Sequence, residues 1–120
     1  MNRIRVRAAT ADDVSVVVDL LADDEVAGHR ESAVRPIAEG YLAAFRAISD
    51  DPNNELFVVD KNGNVVGTMQ LTFIPNMTCM GGWRAHVEGL MVSSKYRGQG
   101  IGTKLMLERD LPNKTDLGNA

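Results

Sequence analysis

Arg97-Gly98-Gln99-Gly100-Ile101-Gly102 places three glycines in one short stretch, behind a strand-like run and ahead of a helix-like one. Glycine has no Cβ, so a backbone built from it can come close to a ligand. Its N–H groups gather where a helix begins, an end that carries roughly half a positive charge. The chemistry this offers is the binding of phosphate. Two common phosphate motifs do not fit. A P-loop needs Gly-Lys followed by Ser or Thr, and Gly102-Thr103-Lys104 has the wrong order. A dinucleotide fingerprint puts its third glycine one place later than Gly102, with an acidic residue on a further strand. A glycine-rich strand-to-helix turn that holds no ligand stays open as the alternative.

The elements that must position this turn follow from periodicity. Ile4, Val6 and Ala8 alternate with Arg3, Arg5 and Arg7, a half-buried strand. Thr10 caps a helix over 11–23, with Asp12 and Asp13 in its positive first turn and Val14, Val17, Val18 and Leu21 on one face. Residues 23–35 read as a loop. Pro36 starts a second helix that carries Ile37, Tyr41, Leu42, Phe45 and Ile48 on one face and ends at 50–54. Strands over 56–59 and 65–74 flank an Asn62-Gly63 turn, with a bulge at Gly67. A loop over 75–83 with a Gly81-Gly82 hinge leads to a strand over 85–92, then residues 93–96 and the glycine motif. Ile101 and Leu105 open a third helix ending by Pro112, and 112–120 read as an irregular polar tail. Three successive strands without intervening helices pair antiparallel. The fold class is α+β, a mainly antiparallel sheet flanked by helices. The 120 residues read as one domain.

Composition narrows the function classes. A net charge of −3 argues against a nucleic-acid-binding domain. No apolar run is long enough to span a bilayer, and the N-terminus lacks a signal segment. Cys79 is the single cysteine, which excludes an internal disulfide and fits a reducing cytoplasm. One cysteine and two histidines do not make a standard zinc site, so no metal is expected.

Glu88-Gly89-Leu90-Met91-Val92, a short Ser-Ser-Lys-Tyr connector and Arg97-x-x-Gly100-x-Gly102 occur together. This combination, over residues 3–108, resembles the GNAT acyltransferase superfamily. The resemblance implies an N-acetyltransferase that moves acetyl from acetyl-CoA to a primary amine, such as a small molecule. It implies that the diphosphate of acetyl-CoA rests on backbone amides of Gly98, Gln99, Gly100, Ile101, Gly102 and Thr103, with Arg97 at the first motif position. The pantetheine arm would lie along Leu90, Met91 and Val92, where a backbone N–H, that of Met91, would polarise the thioester carbonyl. Glu88 is the implied general base, placed on the same face as Leu90 by the two-residue strand repeat. A solvated or ion-paired strand glutamate is the alternative. His86 shares that parity and can assist through water, or be structural.

Weaker candidates surround these. Trp83 walls the acceptor site or packs in the core. Asp23, Asp24, Glu25 and Glu31 attract a cationic amine or form a solvated face. Met69, Met77, Met80 and Met91 fill apolar gaps, Tyr41 and Phe45 are core, and Tyr96 is structural.

Members of the superfamily carry a further strand, helix and hairpin beyond the region matched, and no tyrosine follows Tyr96 to serve as their general acid. The strand at 85–92 is therefore expected to be an edge that a second copy of the chain covers. A CoA-binding or interaction module without turnover is the alternative function.

Overall fold

Asn62 and Gly63, both at positive φ (54° and 89°), make the tight turn of a hairpin. The turn joins β2 (Asn54–Lys61) to β3 (Asn64–Pro75), and this pair is the centre of the molecule. The computed structural model describes residues 3–26 and 28–102. Thr103, the third helix from Leu105 onward and the tail at 112–120 lie outside the described residues. β1 (Ile4–Ala8) pairs with β2, and β4 (Trp83–Val92) pairs with β3, giving one antiparallel sheet in the order β1-β2-β3-β4. The expected α+β class is the one observed.

Alternation along β2 and β3 divides the sheet into two faces. One face carries Phe57, Val59, Met69, Leu71 and Phe73, buried with Ile101, where the chain becomes helical. Gly67 belongs to this face. A Cβ there would stand 3.3 Å from the Ile101 side chain, so the glycine admits the helix against the sheet. A register shift lies opposite Val65–Gly67, where a bulge was expected.

Two helices cover the other face. α1 (Val14–Ala22) buries Val14, Val17 and Val18 as expected, with Leu20 in place of Leu21, which is half-buried. α2 (Glu39–Asp50) buries no residue fully. It was expected to start at Pro36, but Ala38 is extended (ψ 141°) and forms its N-cap, so the helix begins one turn later. Tyr41 and Phe45 are half-buried rather than core, and line a gap of about 140 Å³ between the helices. Met69 is buried as expected, but Met77 and Met80 are not gap-fillers. Met77 precedes and Met80 lies within the Thr78–Gly81 turn between β3 and β4, and they are 96% and 102% exposed. Among the described residues no helix is long and apolar enough to cross a membrane.

An ion-pair network pins β1 to the start of α1. Arg7 donates to both Asp13 oxygens, at 2.7 and 3.1 Å, and to Asp60 at 3.4 Å. Asp13 also accepts from the N–H of Thr10 at 2.7 Å, so the cap is made by the aspartate reaching back. The Arg7 bond holds the Asp13 carboxyl below its ordinary 3.8, against the opposing effect of burial. A carboxyl lowered on folding contributes stability above its unfolded pKa and loses it as pH falls through the folded one. Asp13→Asn is thus expected to cost about 1.5–3 kcal/mol at pH 7 and progressively less below pH ~4. Urea unfolding at pH 7 and pH 3 checks this, and an equal cost at both would contradict it.

Candidate functional site

β4 pairs with β3 on one side only among the described residues, and most of its residues are exposed. Its interior glycine, Gly89, has φ +59° and sits at a break in register. Gln70 faces Glu88, but Thr68 faces Met91, so β4 carries one extra residue there. This bulge overturns the parity expected from the sequence. Glu88 shares a face with Met91, not with Leu90. Opposite residues share a face, so Glu88 and His86 (opposite Thr72) lie on the side covered by α1 and α2. The signal was present in the sequence, since a glycine inside a strand marks bulges.

The bulge and the ladder also decide which amides of β4 are available. Ser93 donates its N–H to the Val66 carbonyl. In an antiparallel ladder, inward and outward groups alternate. Met91, opposite Thr68, therefore turns its N–H toward β3, and Val92, opposite Gly67, turns its own outward. The Met91 amide, expected from the sequence to face a ligand, is thus turned into the sheet, and the Val92 amide is one that faces outward. An independent contact agrees, because Arg97 Nε reaches the Val92 carbonyl from outside at 3.1 Å.

Arg97 does more than begin the glycine turn. Its guanidinium lies 3.8 Å from Asp23, the C-cap of α1, and so ties the turn to both α1 and the end of β4. An open cleft of about 410 Å³ lies beside these contacts, lined by Leu90, Met91, Val92 and Arg97 and by Asp24, Glu25 and Val26. Val26 was not singled out from the sequence. It is an apolar residue in a polar loop, 83% exposed at the cleft's rim.

Gly98 and Gly100 follow with φ of +83° and +79°. Among the described residues a Cβ at either would meet nothing within 4 Å, so the turn is open there. The turn is steadied from behind. Lys61 donates to the Gln99 side chain at 3.2 Å and stands 4.6 Å over the Tyr96 ring. Tyr96 itself packs on the core, as does Trp83. Ile101 is buried and Gly102 is half-buried where the chain becomes helical.

Glu88 and His86 touch directly, Oε1 to Nε2 at 3.0 Å, with side chains 64% and 56% exposed. The neighbouring polar side chains are engaged elsewhere: Gln70 and Thr72 both donate to Asn54. The acidic loop residues also have structural partners. Asp24 accepts from the Val26 N–H, and Glu31 accepts from the Tyr41 hydroxyl at 2.7 Å. Among the described residues no three His, Cys, Asp or Glu side chains gather as a metal-ligand set. The arrangement offers an outward strand amide and a glycine turn at the C-terminal end of β4, and a solvent-reachable carboxylate, Glu88, earlier on the strand and outside the cleft lining.

Comparison with known proteins gives the same outline. A family model described as the acetyltransferase (GNAT) family matches residues 16–110. A solved structure of a transcriptional regulator from Bacillus halodurans C-125 is 41% identical, with a TM-score of 0.83 over 87% of this chain and 69% of that one. Glucosamine-6-phosphate N-acetyltransferase from Arabidopsis thaliana is 19% identical, with a TM-score of 0.72 over 97% of this chain and 77% of its own. A predicted acetyltransferase from Clostridium acetobutylicum, solved with acetyl-CoA, is 21% identical, with a TM-score of 0.66 over 98% and 76% of the two chains. These last two likenesses show the fold alone. No protein of curated function matches the chain.

Proposed function

The chain belongs to the GNAT acetyltransferase family, and from that premise we propose that it transfers acetyl from acetyl-CoA to a primary amine. The observation that carries the reading is the cleft at the end of β4, lined by Leu90, Met91, Val92 and by Arg97, the residue from which the glycine turn continues. In this reading the amides of 98–103 and the positive-φ glycines take the diphosphate. The pantetheine arm extends β4 along Leu90, Met91 and Val92, as an added strand would. The Val92 N–H donates to the thioester oxygen as it gains charge, a kind of contact whose loss costs ~2.7–4 kcal/mol of barrier. Arg97 holds the turn against β4 and α1 (its guanidinium is already committed to Val92 and Asp23).

An amine at neutral pH is mostly ammonium and has no lone pair to attack with. Glu88 accepts that proton, and the nitrogen then adds to the carbonyl carbon. The tetrahedral intermediate gives the second nitrogen proton to solvent and collapses, the C–S bond breaks as the amide forms, the CoA thiolate takes up a proton from solvent, and Glu88 returns its own proton to solvent. The family supplies acetyl-CoA as co-substrate, and a related fold was solved with it. Titration calorimetry with acetyl-CoA and a thiol-release assay over a panel of primary amines test the proposal. Binding with thiol release supports it. Binding without release leaves a CoA-binding module, and no heat on titration removes the cofactor as well.

We further propose that a second copy of the chain pairs along the outer edge of β4 at 83–88, leaving 90–92 to the cofactor. The exposed main chain of an edge strand is a template for such pairing. Light scattering on a size-exclusion column is expected to give twice the mass of 13.0 kDa. A clean monomer at micromolar concentration would count against the pairing.

A further inference from the structure

The Glu88 carboxylate stands on the same side of the sheet as α1 and α2, yet more than half of its side chain is in solvent, where a glutamate samples many rotamers. A base that must meet one ammonium needs a fixed direction. The only side-chain contact recorded for Glu88 among the described residues is the imidazole two positions earlier, Nε2 to Oε1 at 3.0 Å. Both side chains rise from the same face, His86 opposite Thr72 and Glu88 opposite Gln70. The donors on that neighbouring row go to Asn54 instead. The register break at Gly89 begins immediately after the pair, so the two residues stay in regular strand spacing while the cofactor edge is offset.

We infer that His86 is a positioning residue for Glu88: its Nε2–H holds Oε1 and leaves Oε2 to accept the proton of the acceptor amine. The inference rests on the reading of Glu88 as the base. With a proton on Nε2, the imidazole donates to the carboxylate. No proton passes through the ring. The imidazole fixes a rotamer, and the hydrogen bond to a charged group is of the stronger kind.

Steady-state kinetics of the full chain with acetyl-CoA and four amine classes (an amino sugar, a polyamine, an aminoglycoside and a lysine peptide) test the inference. His86→Leu is expected to lower kcat about tenfold, with KM for acetyl-CoA unchanged. His86→Gln keeps an N–H near the place of Nε2 and is expected to recover most of that loss. In a Glu88→Gln background, His86→Leu is expected to add nothing, because two residues acting through one carboxylate are not additive. A loss of equal size in both backgrounds, or wild-type rates for His86→Leu, overturns the inference and leaves Glu88 as the base. A His86→Leu melting temperature that falls along with activity also overturns it, by making the contact structural. Wild-type rates for Glu88→Gln, or no acetylation of any of the four amine classes, overturn the inference and the reading beneath it together.

Discussion

Glu88→Gln is expected to lower kcat/KM for the amine by about 10²-fold or more at pH 7, the usual loss when a general base is removed. The substitution keeps the size of the side chain and removes its capacity to hold a proton. Glu88 lies on the helix-covered face, separated by the Gly89 bulge from the strand edge at 90–92. Affinity for acetyl-CoA should therefore stay near wild type. The deficit has a pH signature of its own. An alkyl ammonium of the lysine type titrates near pH ~10, so solvent increasingly removes the proton as pH rises. The variant should thus approach wild type toward that pH. Rates across pH 7 to 10 with one amine at subsaturating concentration measure this. A deficit that stays constant with pH would point to lost positioning or folding instead of lost proton transfer.

Gly100→Val is expected to weaken acetyl-CoA binding by about 10- to 100-fold, the equivalent of one or two lost charge-assisted hydrogen bonds. Two effects combine. The residue sits at φ +79°, where a β-branched side chain is strained. Its Cβ would also project into the space where the turn opens, which no described residue occupies within 4 Å. Gly81→Val separates the effects. Gly81 has almost the same φ, +80°, and equally open surroundings, but lies in the β3–β4 turn, away from the cleft. Both variants carry a backbone cost of about 1–3 kcal/mol and should melt earlier by similar amounts. Only Gly100→Val should lose the cofactor. Calorimetry on both decides the matter: equal loss of affinity would mean that global stability, and not the cradle, sets binding.

The two experiments bear on different parts of β4. The glycine turn acts at its C-terminal end through main-chain groups, where the identity of side chains matters little. In the proposed mechanism Glu88 acts from a side chain at the sixth of the ten residues of the strand. Between them lies one extra residue, Gly89, which rotates one set of groups relative to the other. A residue with a Cβ at Gly89 would adopt φ +59° under strain and would stand 3.4 Å from the Leu21 side chain of α1.

Several features were legible in the residues themselves. Apolar spacing located α1, the β2–β3 hairpin and β4. Asn62-Gly63 named the turn, Gly67 its neighbouring irregularity, and the Arg97–Gly102 run the family and the open glycine turn. These are local signals, carried by residues a few positions apart, and short-range sterics enforce them whatever the rest of the chain does. Which face Glu88 occupies was a different kind of question. Alternation says how a regular strand points, but a bulge belongs to the pairing of two strands, and only the register of β3 against β4 shows that Met91 and not Leu90 shares its side. The same ladder turned the Val92 amide outward. The bond from Arg97 to Val92, its approach to Asp23 and the Lys61–Gln99 contact join segments distant in sequence, and no pattern within any one of them foretells the partner. Met77 and Met80 look like core residues by type, yet the tertiary structure sets them on an exposed turn, because burial depends on what packs opposite and no element does so there among the described residues.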